Sequence, residues 1–408
     1  MSAKARSAPP ERARAALIIV GAGVCAALHL GKLPPAIPVL QQALGVTLVE
    51  AGFLLSLVQL AGMTAGLAFG VLADGFGLRR SMLTGLVVLA LASALGGMAR
   101  EVPMLMALRA VESMGFLLTV LPAPGLLRQL VPPARLARVM GIWGAYMPLG
   151  AASALLLGPL AIQALGWRAW WWLLAALTVT VALLVMRAVP GDTQGPRPAT
   201  ALPWLQRLRH TLAAPGPWLL ALSFACYSSQ WLGVVGFLPT IYRDAGIAPA
   251  LGGVLTAVAA AVNIVGNVSS GWLLHHGWPA PRLLAIGFVT MALACVLAFA
   301  EFGQPAALRY AAVLVFSMVG GVIPGTLFAL VVQVAPGEHT LSSTVGWMQQ
   351  WSSLGQFSGP PIVAWVAERS GGWSMTWAAT GAGSLVGLWL AARIARVLAQ
   401  RERVQSPP

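Results

Sequence analysis

The stretch Gly70-Val71-Leu72-Ala73-Asp74-Gly75-Phe76-Gly77-Leu78-Arg79-Arg80 places one carboxylate, two arginines and three glycines between apolar runs near 48–73 and 82–99. Gly70 leaves room for two helices to approach, Gly77 suits a reversal of the chain, and Asp74 stands where it can cap the next helix or pair with Arg79 and Arg80. A helix needs roughly 20 apolar residues to cross about 30 Å of hydrocarbon, so two such runs joined by a short basic turn read as a transmembrane hairpin. Outward from it the pattern repeats. Runs near 15–41, 103–128, 137–163 and 168–187 complete a first set of six, and runs near 218–241, 250–272, 282–301, 307–333, 341–366 and 373–398 form a second.

Composition agrees with a chain that lives in lipid. Of its 408 residues, 58% are hydrophobic and 9% charged, against about 25% charged in a soluble protein, and the mean hydropathy is +0.80. Too little polar surface remains to wrap a soluble body of any class. A net charge of +14 would point to nucleic acid in a soluble protein. Here the basic residues fall in the gaps between apolar runs, and most lie on the side of the N-terminus, which predicts that both termini are cytoplasmic. Cys25, Cys226 and Cys295 lie in apolar runs without clustered histidines and offer neither a disulfide framework nor a zinc site, so no metal or cofactor is expected. The first run is too long and too proline-interrupted for a cleaved signal.

The chain is a tandem repeat. A shift of 201 places Pro38 on Pro239, Gly45 on Gly246, Gly52 on Gly253 and Gly70 on Gly271, and shifts of 205 and 206 place Gly141 on Gly346 and Gly166-Trp167 on Gly372-Trp373. The layout is therefore a cytoplasmic tail (1–14), a six-helix bundle (15–187), a polar, Pro-rich cytoplasmic linker (188–217), a second six-helix bundle (218–398) and a cytoplasmic tail (399–408). Two parallel halves suit a rocking transporter with its site between them.

The Gly70–Arg80 stretch resembles the loop signature of the major facilitator superfamily, G-x-L-x-D-x-x-G-x-R/K-R/K. Arg109-Ala-Val-Glu112-Ser-Met-Gly115 is similar to the R-x-x-Q-G-x-G stretch of that family, with Glu112 and Ser113 as departures, and the second half keeps Gly271-Trp-Leu273 but has His275 where Asp74 would fall. The resemblance implies an all-α integral membrane fold of twelve transmembrane helices in two pseudo-symmetric bundles. It also implies a monomeric permease of the bacterial inner membrane, with a small solute and a proton as partners besides the bilayer, and no nucleic acid. Gly70, Asp74, Gly77, Arg79 and Arg80 would then form a gating loop. Gly141-Ile-Trp143-Gly-Ala-Tyr146-Met-Pro148 and Gly166-Trp167-Arg168 look most like the cyanate and nitroimidazole permeases. Gly158-Pro159 is what remains of the glycine-rich stretch of drug/proton antiporters, the alternative reading.

Glu112 is the acidic residue that falls inside the bilayer, which makes it a functional candidate. Lys32 lies at a similar depth on the first span, with Arg109 one turn from Glu112 and His29 one turn from Lys32. If spans 1 and 4 line the central cavity, as the resemblance implies, the Lys32–Glu112 pair with Arg109 can hold an anion or exchange a proton, or lock the bundle as a buried ion pair, and His29 is a ligand or a packing residue. The 201 shift sets His29 opposite Gln230, so the two are expected to face each other. Trp143, Tyr146, Tyr227, Gln230, Trp347, Gln350 and Trp351 are the candidate cavity lining, a mixture suited to a small flat solute. The dinucleotide-like run from Ala16 to Ala26 lacks its following acidic residue, and no nucleophile–base set is visible, so no catalytic residue is assigned.

Overall fold

The computed structural model of the chain describes residues 10–64, 77–132, 139, 143, 146–192, 204–337 and 340–405, and these are helical apart from short turns. Twelve elements build it: α1 (Glu11–Leu44), α2 (Leu48–Thr64), α3 (Leu78–Gly96), α4 (Val102–Leu130), α5 (Tyr146–Leu165), α6 (Trp167–Ala188), α7 (Pro215–Asp244), α8 (Pro249–His275), α9 (Ala280–Phe299), α10 (Ala306–Val331), α11 (Leu341–Ser370) and α12 (Trp373–Gln400). Ten are long and apolar enough to cross a membrane unaided; α2 is the shorter apolar helix in its described part. α11 has the length, 30 residues, but carries Gln349, Gln350 and Gln356. A further helix, Trp204–Ala213, lies between α6 and α7.

Local chemistry sets the ends. Thr47 and Glu50 start α2 with a reciprocal cap, Thr47 Oγ1 accepting from the Glu50 amide at 3.2 Å and Glu50 Oε2 from the Thr47 amide at 2.8 Å. α1 and α7 both end on glycines with positive φ, Gly45 at 68° and Gly246 at 78°. That conformation favours glycine, and the two positions are the pair that the 201 shift matches.

Buried side chains gather in clusters centred in one half but reaching into the other, Leu155 joining that of the second half and Phe237 and Val363 that of the first. Leu33, Ile37, Trp170 and Trp171 centre one cluster of the first half, and Phe288, Met291, Phe316 and Leu327 centre that of the second. Leu91, Leu156, Leu293, Leu385 and Trp389 are exposed on the outside, as lipid-facing residues must be. Lipid removes the hydrophobic drive for helix pairing, so small residues make the close contacts. Gly52 on α2 meets α11, where an added Cβ would come 2.9 Å from Pro361 Cα; Gly253 on α8 meets α5, where a Cβ would come 2.5 Å from Pro159 Cγ. Matched glycines of the two repeats thus make matched seams between the halves.

Five long elements, α1, α4, α7, α8 and α10, are interrupted among the described residues. In α1 the helix Pro10–Gly31 gives way to a turn at Lys32-Leu33 and a 3₁₀ segment at Pro34–Ala36, because Pro34 and Pro35 have no N–H to continue the ladder. α8 is interrupted for a single residue at Val262 and α10 at Gly321, where both residues keep helical φ and ψ and the helix tightens without unwinding. Carbonyls left where the ladder breaks need donors, since lipid supplies none. At the α1 break Trp170 Nε1 donates to Lys32 O at 3.2 Å and Arg109 Nη1 donates to His29 O at 2.9 Å.

Candidate functional site

The α1 break carries a charged cluster. Lys32 is ion-paired with Glu112 of α4, and Arg109 holds the other oxygen of the same carboxylate. All three are 0–1% exposed. Lys32 Nζ also donates to Ser93 Oγ of α3 at 3.0 Å and to His29 Nδ1 at 3.4 Å, and lies 4.8 Å from the centre of the Trp171 ring. Its three N–H groups are therefore all engaged. Thr178 of α6 gives its proton to Leu174 O, so at 2.7 Å from His29 Nε2 it must accept. This fixes His29 as the Nε2–H tautomer, with the Nδ1 lone pair turned to Lys32.

Arg109 spans more of the bundle. Its Nε donates to Leu54 O of α2 at 3.3 Å, while Nη2 is buried without a hydrogen-bond partner among the described residues. With Lys32, Arg109 and Glu112 ionised, the cluster has a net charge of +1 and an unfilled donor. Such a set can hold one anion or pass a proton through Glu112; left alone, its excess charge is costly in a dry bundle.

The expectation that Lys32 and Glu112 are level holds, and the four sequence-predicted residues come together. Their direction differs from the expectation. The ammonium and the imidazole are turned toward α3 and α6, inside the first bundle, so Lys32 does not offer a free donor to the space between the halves. His29 and Gln230 do not face each other either. Gln230 Nε2 donates to Cys226 O at 2.9 Å, and its Oε1 accepts from Ser384 Oγ of α12 at 2.8 Å. Both are buried, and a buried polar group takes the nearest partner in its own bundle.

The proposed lining residues divide. Trp143 stacks on Tyr146 at 4.3 Å and lies over Gly23 of α1. Trp347 and Trp351 join Trp218 of α7 in a three-ring group with centroids 4.8–5.9 Å apart. Gln350 crosses to the other half, donating to Met63 O of α2 at 2.9 Å, and Gln59 donates to Gln356 Oε1 at 3.0 Å. Tyr227 accepts from Asn263 Nδ2 of α8 at 2.8 Å. Gln350 thus lies at the seam and Tyr227 is a polar centre of the second half, while the tryptophan rings pack on one another, the reading that 16 tryptophans in a membrane chain favour.

Comparison with known proteins settles the family: a sequence profile of the Major Facilitator Superfamily matches residues 19–357. The chain belongs to that superfamily. Monocarboxylate transporter 11 of Homo sapiens is 27% identical over 369 residues, covering 84% of this chain and 73% of that protein. The Tetracenomycin C resistance and export protein of Streptomyces glaucescens is 30% identical over 174 residues, 41% of this chain and 32% of its own. A crystal structure of a bacterial homolog of the human lysosomal transporter Spinster, inward-facing and unoccupied, superposes with a TM-score of 0.78 over 97% of this chain and 98% of that one. At 16% identity that likeness shows the fold.

Of the loop signature of the major facilitator superfamily, Gly70 and Asp74 lie outside the described residues, while Gly77, Arg79 and Arg80 lie within them. The carboxylate seen at the start of α3 is that of Asp192, just past α6. It accepts from the Arg79 amide at 2.8 Å and the Arg80 amide at 3.0 Å, and an added Cβ on Gly77 would strike it. Arg79 Nη2 donates to Met186 O. Sequence reasoning missed Asp192, Ser93, Thr178 and Asn263. Asn263 and Asn267, four apart in an apolar run, were the one visible signal; a lone Ser or Thr in a membrane helix carries none.

Proposed function

We propose that this superfamily member is a secondary active transporter of a small anion, a monocarboxylate or an anion of similar size, coupled to protons by alternating access. The observation that carries the reading is the buried Lys32–Arg109–Glu112 cluster with its net +1 charge. The excess charge and the unpartnered Arg109 Nη2 favour one anion, and an anion that draws a cation from Glu112 favours the protonated carboxyl. Solute entry and proton uptake then occur together, which is symport. Because Lys32 is saturated, an anion reaches it only by displacing His29, Ser93 or Glu112, so Arg109 is the first contact. The name of the monocarboxylate transporter relative, matched over most of the chain, supports the solute class. The distribution of arginines supports an inner-membrane protein with cytoplasmic termini.

The test is proton movement. L-lactate, pyruvate, propionate and cyanate are each added to lightly buffered proteoliposomes. Symport predicts an alkaline shift outside that collapses with a protonophore, whereas uptake of these anions without proton flux contradicts it. A second reading, a drug/proton antiporter, is supported by relatives named for resistance and export, which match 34–61% of the chain. A thermal-shift screen that adds nitroheterocycles and lipophilic cations separates the two, since bound ligands raise the melting temperature.

A further inference from the structure

The interruptions in α8 and α10 lie side by side. Each divides its element into pieces of 13 to 15 residues, roughly 20 Å each, so the interruptions fall near mid-membrane. The helices touch there, for a Cβ on Gly321 would strike Asn263 O, and one on Gly325 would strike Ser270 Oγ. The ladder is only locally tightened at these two residues, and polar side chains on the touching faces are buried in protein at this depth, where a partner has to come from protein or solute.

A neutral hydrogen-bond chain occupies the contact. Asn267 Nδ2 donates to Asn263 Oδ1 at 3.1 Å; Asn263 Nδ2 donates to Ser317 O at 2.7 Å and to the Tyr227 hydroxyl oxygen at 2.8 Å. Trp231 Nε1, one turn along α7 from Tyr227, donates to Ser317 Oγ at 3.0 Å. Two donations in series, Asn267 to Asn263 and Asn263 to Tyr227, run toward the Tyr227 hydroxyl, and the first polarises the second. Tyr227 is 6% exposed, and its own O–H has no acceptor among the described residues. A buried donor without a partner costs stability, so the end of this chain is a place for an acceptor. The described charged residues of the second half, such as Asp244, Glu301, Arg309 and Glu368, lie near span ends. Whatever binds here meets donors without charge.

We infer that Tyr227, polarised through Asn263 and Asn267, is the specificity-determining donor of the second half for a carboxylate or similar anionic acceptor on the solute. The inference rests on the anion-transport reading above. It divides the work: charge and protons in the first half, neutral recognition in the second.

Radiolabelled L-lactate uptake into proteoliposomes is measured for the parent, Tyr227→Phe and Asn267→Ala, with melting temperature as the control on folding. Tyr227→Phe keeps the ring packed by Phe224 and loses only the hydroxyl. It is expected to raise KM about ten-fold, the worth of one hydrogen bond to a charged acceptor, with the proton-to-lactate ratio unchanged. Asn267→Ala, at the far end of the chain, is expected to raise KM by a smaller factor, and it carries the test if Tyr227→Phe does not fold. An active parent with KM unchanged in the folded variants overturns this inference alone and leaves water as the occupant. A folded parent that takes up no monocarboxylate overturns the transport reading and this inference with it.

Discussion

Lys32 spends its three ammonium protons on His29, Ser93 and Glu112, inside one bundle and away from water. Lys32→Ala removes one of the two cations that hold Glu112, and breaking a buried pair costs about 3–5 kcal/mol. The expected outcome is a lower melting temperature in detergent and loss of anion binding in equilibrium dialysis. Anion transport at the rate of the parent would contradict a role for Lys32 in holding the anion. Depth was legible for this cluster: Lys32 and Glu112 were placed level by counting residues from the span ends. The direction of the side chains was not, because neither Ser93 nor Thr178 stands out in an apolar run, and these two fix which way Lys32 and His29 turn.

The helices meet through contacts between residues far apart in sequence, and their ends are closed in the same way. Asp192 caps α3 from 113 positions away, a separation at which the sequence carries no sign of the pairing; Asp74, which the sequence offers as a cap, lies outside the described residues. Loss of a cap costs about 1 kcal/mol, so Asp192→Ala is expected to lower the melting temperature by a few degrees, with little change in KM for solute. The seams carry a sharper prediction. Gly52→Val and Gly253→Val each push a side chain into a proline of the opposite half, and packed membrane helices have little room to yield. Both variants are expected to bind solute within a few-fold of the parent and to turn over at least about ten times more slowly, as read by stopped-flow efflux; normal turnover would mean the seams part freely. These glycines were visible beforehand as repeat matches at the 201 shift, but their proline partners were not.

Across the whole molecule, the contacts between halves include the ends of α1 and α7, where Arg243 donates to Pro38 O at 3.3 Å and to Gln41 Oε1 at 3.1 Å. With the basic segments taken as cytoplasmic, this is the outer side, and the halves are closed there. A Gln41→Cys, Arg243→Cys pair is then expected to cross-link while the outside is closed, and to lose that cross-link under conditions that open it. The twofold layout was legible because apolar length and the tandem repeat survive in the residue pattern. The solute was not, since it depends on how the two halves face each other. The central claim is that Glu112 couples solute to protons, and Glu112→Gln tests it most directly. Proteoliposomes bearing parent or variant are given labelled L-lactate with an acidic exterior, and counterflow is measured in parallel with accumulation. The account predicts that the parent accumulates lactate above equilibrium while Glu112→Gln exchanges it but does not accumulate it. Uphill accumulation by Glu112→Gln at the rate of the parent would contradict the account.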